Sequence, residues 1–215
     1  MKKIYITSII IVAGFFILSL SAFAHQPSVV GDETSITVED PEISKAYYAE
    51  LVGEPVHYVF TASEEFDLYV NVLVPDIANS TEDYTATVTR DDEVVTVLEP
   101  GSAVWSQFDE PFGGDVYRMG PEYRATGLAG EYDITVSSPD NHGKYVLAIG
   151  EVESFPAKEI MRTMAELYGV KKFFGKSGLA IFESPFIYGP AIVLVLVIAL
   201  VAWLVIRKRK KKNNK

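Results

Sequence analysis

The chain has 215 residues, no cysteine and a formal net charge of −10, with 29 Asp and Glu against 19 Lys and Arg. Without cysteine there are no disulfides, no thiolate metal sites and no lipid-modified cysteine, so stability must come from buried apolar surface. The acidic balance excludes nucleic acid as a partner, because phosphate binding needs a cationic face.

Lys2 and Lys3 precede an apolar run from Ile4 to Leu20, and Ala22-Phe23-Ala24 has the small-x-small form of a cleavage site. Residues 1–24 are expected to be a secretion signal, which would make His25 the mature N-terminus. An uncleaved anchor is the alternative. All 29 acidic residues lie between Asp32 and Glu183, where only ten Lys and Arg accompany them, so the exported part carries −19.

Residues 25–154 read as one β domain, ample for a single core. Residues 25–33 form a polar lead-in. Ile36 and Val38 alternate with polar neighbours, the period-two mark of a half-buried strand. Tyr47, Ala49 and Leu51 alternate, Gly53-Glu54-Pro55 turns the chain, and Tyr58, Phe60 and Ala62 alternate again. This pattern predicts a hairpin, although Ile43 to Leu51 also suits a starting helical turn. Phe66 to Val74 is nearly continuous apolar, which predicts a central strand covered on both faces.

Tyr84, Ala86 and Val88 alternate with threonines, Arg90 to Glu93 is a charged turn, and Val94 to Leu98 returns, a second predicted hairpin. Asn79-Ser80-Thr81 matches a glycosylation acceptor by chance composition of a loop. Residues 99–127 are dense in Gly and Pro, which predicts a long loop with short strands around Val104-Trp105 and Val116-Tyr117. Strands are expected at Gly130–Val136 and Gly143–Ile149, joined by Ser138-Pro139-Asp140-Asn141-His142. The strand count and turn spacing predict an all-β antiparallel sandwich, jelly-roll-like or Ig-like.

After Phe155-Pro156 the period changes. Ile160, Met161, Met164, Leu167, Tyr168 and Phe174 recur at helical spacing, with Lys158, Glu159, Arg162, Thr163 and Glu166 opposite. Residues 155–176 are expected to hold a membrane-proximal amphipathic helix ended by Gly169 or Gly175. Its apolar face has two destinations, the sandwich or the outer membrane surface. Residues 177–185 form a spacer. Residues 186–206 carry no charge and span about 30 Å as a helix, the thickness of a bilayer core. The basic tail at 207–215 is expected to stay cytoplasmic and meet anionic inner-leaflet lipids. The expected location is the plasma membrane, single-pass, with the N-terminal domain outside.

Catalytic signatures are missing. There is no His-Glu-x-x-His, no Gly-x-Ser-x-Gly and no glycine-rich dinucleotide loop, and no nucleophile–base pair is visible. Three histidines, His25, His57 and His142, are the metal candidates. A mature N-terminal histidine offers copper an amine and a ring nitrogen together, and a second histidine completes a T-shaped nitrogen site. In this feature the sequence resembles periplasmic copper-binding proteins and copper oxygenases that begin with histidine on a β-sandwich. Asp140-Asn141-His142-Gly143 offers oxygens to calcium, but fewer than the six a calcium ion takes. Trp105, Phe108, Phe112, Tyr117 and Tyr123 are either core or an exposed binding patch.

Residues 47–74 run Tyr-Tyr-Ala-Glu-Leu-x-Gly-Glu-Pro-x-x-Tyr-x-Phe-x-Ala and then Phe-Asp-Leu-Tyr-Val. The domain closes with Gly-Glu-Tyr-Asp-Ile-Thr-Val and Gly-Lys-Tyr-Val-Leu-Ala-Ile-Gly. These motifs resemble bacterial pre-peptidase C-terminal domains over about half the chain, without an attached protease. The resemblance implies an accessory, non-catalytic β-sandwich and carries over no site residue. The expected function is a non-catalytic binding or scaffold module at the cell surface, for an extracellular protein or glycan. A metal-binding role for copper or calcium is the alternative.

Overall fold

The computed structural model describes residues 25–110, 113–154 and 156–213. The expected secretion signal and Phe112 lie outside the described residues. Those described fall into two compact units, one ending at Ile181 and the other starting at Phe182.

The first unit is a sandwich of eleven strands in two sheets: β1 (Gln26–Val29), β2 (Ser35–Thr37), β3 (Lys45–Val52), β4 (Val56–Ala62), β5 (Phe66–Pro75), β6 (Thr85–Arg90), β7 (Glu93–Leu98), β8 (Ser106–Glu110), β9 (Asp115–Gly127), β10 (Gly130–Ser137) and β11 (His142–Ile149). One sheet has the order β1-β3-β11-β5-β9-β8 and the other β2-β4-β10-β6-β7. The cores of these orders, β3-β11-β5-β9 facing β4-β10-β6-β7, are the interleaved sheets of a jelly roll. That settles the choice against the Ig-like alternative. The edge strands β1 and β2 pair in parallel with β3 and β4, while the other ladders are antiparallel.

Two expectations change here. The alternating runs at 47–51 and 58–62 are strands, but they are not a hairpin: β3 and β4 lie in different sheets. Gly53, at φ +93°, helps turn the chain across the sandwich. Alternation reports one buried face per strand and is blind to which sheet the strand joins.

The segment 99–127 is mostly strand. After a short 3₁₀ turn at Pro100–Ser102, β8 and β9 form a hairpin around Gly114, and β9 runs for 13 residues. Gly120 and Pro121 sit inside β9, where the register against β5 shifts between Asn71 and Leu73. The buried Asn71 carboxamide donates to the carbonyls of Gly120 at 3.2 Å and Pro121 at 3.1 Å. A Gly-Pro pair read as a break is thus a bulge, which bends a strand without ending it.

The main core fills the space between the sheets, with Tyr58, Val70, Val72, Ile134, Tyr145 and Leu147 fully buried. Tyr58 and Tyr145 place their hydroxyls 2.9 Å apart within it, so these two hydroxyls satisfy each other. The continuous apolar run of β5 has the expected explanation. Leu68, Val70 and Val72 face the main core, while Tyr69 and Leu73 face a second cluster on the far side.

Helix α1 (Ala157–Phe173) supplies the cover for that second cluster. Val170, Phe173 and Phe174 pack on Ala46, Tyr48, Tyr117 and Val146. Edge-to-face ring contacts join Tyr48 to Phe173 and Tyr117 to Phe174. Gly175, at φ +68°, ends the helix: Gly175 N–H donates to Lys172 O and Lys176 N–H to Lys171 O, a Schellman cap.

The buried face of α1 differs from the one its periodicity predicts. Thr163, Leu167, Val170 and Lys171 are buried, whereas Met161, Met164 and Tyr168 are exposed. Lys171 decides the rotation. Its ammonium donates to Asp115 Oδ2 at 2.8 Å and Gly113 O at 2.6 Å, with both charged side chains wholly inaccessible. Lys176 Nζ lies 2.8 Å from Asp115 Oδ1. A hydrophobic scale counts Lys171 as surface and cannot find this pair.

Helix α2 (Pro185–Asn213) belongs to the second unit. Its stretch Ile187–Arg207 is long and apolar enough to cross a membrane.

Removing one member of a buried ion pair strands the other in a medium that solvates it poorly. Asp115→Ala is expected to lower stability by about 3–5 kcal/mol. The double variant Asp115→Leu with Lys171→Met is expected to recover most of that loss. Urea unfolding of the full chain in detergent micelles, followed by near-ultraviolet circular dichroism, measures both. An unchanged midpoint for Asp115→Ala would contradict the role given to the pair.

Candidate functional site

A groove of about 870 Å³ lies on the side of the sandwich where the two edge strands β1 and β2 lie. Its walls come from β1, β2, the turn Glu39–Ile43, the β4–β5 turn and the start of α1. Tyr47 and Phe66 contribute buried rings to it. The turn at residues 39–43 is fixed by Ile43 N–H donating to Asp40 O at 3.0 Å and Val152 N–H donating to Glu42 O at 2.8 Å. Gly150 makes this possible: at φ +76°, a Cβ there would meet the Glu42 carbonyl at 2.6 Å.

Arg162 comes from the second turn of α1. Its guanidinium is held by Glu159 at 2.7 Å, and it donates to Pro27 O and Gln26 Oε1, each at 3.3 Å. Three partners leave it little rotamer freedom, and it clamps α1 to the β1 edge. Lys45 donates its ammonium to the Glu39 carbonyl. Burial pushes the Lys45 ammonium below its ordinary pKa, against the pull of Asp40 and Glu39. Burial likewise pushes the Tyr47 phenol up to about 12, so it stays a neutral hydrogen-bonding group.

The rim is acidic. Glu39, Asp40 and Glu64 are exposed, and no ion pair engages their carboxylates among the described residues. Glu42 differs, since its Oε1 accepts the Asp67 N–H at 3.0 Å. Hydroxyls are present at Ser28, Thr37, Thr61 and Ser63, but no histidine lines the groove. The arrangement offers charge and hydrogen-bond recognition rather than a nucleophile beside a base. Sequence reasoning missed this site. Its one local signal is the charged run Glu39-Asp40-Pro41-Glu42 at a strand end; Arg162 stands opposite the apolar stripe of the helical periodicity, which carries no sign of a groove.

The three histidines stand apart. His25 Nδ1 lies 2.5 Å from Ser44 Oγ. His142 Nδ1 lies 2.7 Å from Asp140 O in its own turn. Gln26 pairs with Lys45 and His142 with Val52, so these two histidines lie at opposite ends of β3, about 23 Å apart at strand rise. His57 is in the other sheet, with Nδ1 2.8 Å from Asp133 Oδ2 and 3.2 Å from Thr135 Oγ1. The oxygens of the 140–143 turn also have local work: Asp140 Oδ1 accepts His142 N–H and Asn141 Oδ1 accepts Ser138 N–H. Among the described residues, no three His, Asp or Glu side chains are grouped to hold a metal ion.

Among the described residues, the aromatics of 99–127 do not form an exposed patch. Tyr117 is buried, and Phe108 packs beside it in the second cluster. Trp105 and Tyr123 pack against the main core. The Trp105 ring covers Gly120, and its indole N–H donates to Pro100 O at 3.0 Å.

No protein-family profile matches the chain, and no curated protein matches it by sequence. Among solved structures, the chain is similar to PliG of Aeromonas hydrophila, a periplasmic inhibitor of g-type lysozyme. That likeness has 13% identity and a TM-score of 0.36, over 58% of this chain and 97% of that one. It is also similar to the pre-peptidase C-terminal domain of a Bacillus anthracis collagenase, the kind of domain that its sequence resembles. Here the identity is 11% and the TM-score 0.31, over 60% of this chain and 96% of that one. Neither likeness bears on ligand or partner.

His25 generates a pH prediction. Burial lowers its imidazole pKa, while Glu153 and Glu151 pull the other way. The folded state therefore binds the proton less well than the unfolded state. The stabilisation is complete above the unfolded value near 6.5 and is lost as pH falls through the lowered folded-state value. The urea midpoint is expected to drop between pH 7.5 and 5.5, and His25→Gln is expected to flatten part of that slope. An identical slope in the variant would remove His25 as the cause.

Proposed function

We propose that this chain is a membrane-anchored extracytoplasmic binding module, and that its groove holds a positively charged segment of another protein. The observation that carries this reading is the groove itself. It joins exposed rim carboxylates at Glu39, Asp40 and Glu64, which make no salt bridge among the described residues and outnumber the one nearby ammonium of Lys45, to walls with no nucleophile–base pair among the described residues. A cation gains most from carboxylates that are not already neutralised by the protein's own lysines and arginines. The overall charge of the exported part, −19, adds long-range attraction for the same class of partner.

Anchoring is supported by α2. The stretch Ile187–Arg207 has the length of a bilayer core. At its basic end the Arg207 guanidinium lies 5.0 Å from the Trp203 ring, an aromatic–cation pairing suited to a membrane interface. The basic tail then belongs inside and the acidic sandwich outside.

Fluorescence anisotropy of a labelled hexalysine peptide tests the binding reading. Saturable binding to the full chain in nanodiscs is expected, weakened at least tenfold by the triple variant Glu39→Gln, Asp40→Asn, Glu64→Gln. A second triple, Asp91→Asn, Asp92→Asn, Glu93→Gln, removes the same charge from the β6–β7 turn and is expected to leave binding within twofold. Equal losses in the two triples would mean bulk charge attraction and would overturn the groove. Protease treatment of intact cells is expected to remove the sandwich, and its survival would overturn the topology.

A further inference from the structure

We infer that the outward face of α1 rests in the interfacial layer of the same bilayer that α2 spans. This inference rests on the anchored reading given above. Its starting point is a helix with apolar side chains on both faces. α1 turns a lysine and a threonine inward, with Lys171 and Thr163 inaccessible, and leaves Met161 69%, Met164 39% and Tyr168 49% exposed. These three recur at i, i+3 and i+7, a continuous stripe on one side of the helix. Leu179, 75% exposed, extends the apolar set, because Gly178 packs against the Tyr168 ring.

The stripe has the composition of an interfacial face rather than of a protein core. Methionine side chains are long and unbranched, and a tyrosine keeps a polar tip beside an apolar body. The Lys172 ammonium lies 4.7 Å from the Tyr168 ring, so a cation borders the apolar surface. Aromatic and lysine side chains of this kind partition to the headgroup boundary.

The tether selects the bilayer over other occupants. Leu179 precedes Pro185, the first residue of α2, by six positions, which limits their separation to about 20 Å. A surface held that close meets the membrane at high effective concentration, so a shallow contact suffices. The acidic sandwich favours a zwitterionic leaflet for this contact, since anionic headgroups repel it.

Because the chain has no cysteine, single labelling sites are clean. Met164→Cys, Val97→Cys and Val195→Cys, each made in the full chain, are labelled with bimane. The proteins are placed one per nanodisc in phosphatidylcholine, with or without lipid carrying a nitroxide near the headgroup or deep in the acyl chain. The shallow nitroxide is expected to quench the label at 164 at least threefold more than the label at 97, an exposed apolar site on β7. The deep nitroxide is expected to quench the label at 195, on α2. Quenching at 195 with none at 164 beyond the level at 97 overturns this inference and leaves the anchor standing. Absence of quenching at 195 overturns both. Disulfide-linked dimers through position 164 in detergent, with no lipid quenching in discs, would reassign the stripe to a second copy of the chain and overturn the inference as well.

Discussion

A single buried charge pair sets how this sandwich is covered. Lys171 and Asp115 are both wholly inaccessible, and two such ions are stable there only because each answers the other and Gly113 O takes a further donor bond. Desolvating each ion costs several kcal/mol, so the pair is weak as a source of stability and strong as a source of register. It fixes which face of α1 meets the sheet. That choice places Leu167, Val170, Phe173 and Phe174 over Tyr48 and Tyr117. It also explains why β5 and β11 are apolar on both sides, whereas β4, β6 and β10 alternate buried with half-buried or exposed residues.

Much of the strand layout was legible in the residues. Period-two runs marked β4, β6 and β10, and the uninterrupted run marked β5 as doubly covered. The change of period after Pro156 marked α1. Other features were illegible for physical reasons. Pairing of β3 with β11 joins residues about a hundred positions apart, and no local pattern encodes it. The bulge at Gly120-Pro121 looks like a stop because its compensation, the Asn71 carboxamide, comes from another strand. The buried face of α1 is illegible in the periodicity because a buried lysine reads as a surface residue until its carboxylate is known.

The groove was illegible for a related cause. Its parts are drawn from β1, β2, the turn before β3, the turn after β4 and the start of α1. Each contributes residues that look like ordinary loop polarity. Only assembly shows that Arg162 is committed to Glu159, Gln26 and Pro27 while the carboxylates across the rim are not committed to ion pairs. The histidines show the reverse case. They stood out in the sequence by rarity, yet the fold gives each ring a separate local partner.

The jelly-roll order also governs when the domain can become solid. Its central ladder zips Lys45 to Ile149 and His142 to Val52, so the middle of the sheet needs material from both halves of the chain. Closing so long a loop is slow compared with forming a local hairpin. A polypeptide emerging N-terminus first can pair β3 with β1 and β5 with β9, but the edge of each that faces β11 stays open until β11 has followed. That delay keeps the leading portion pliable until the last strand is available, and rigidity arrives late.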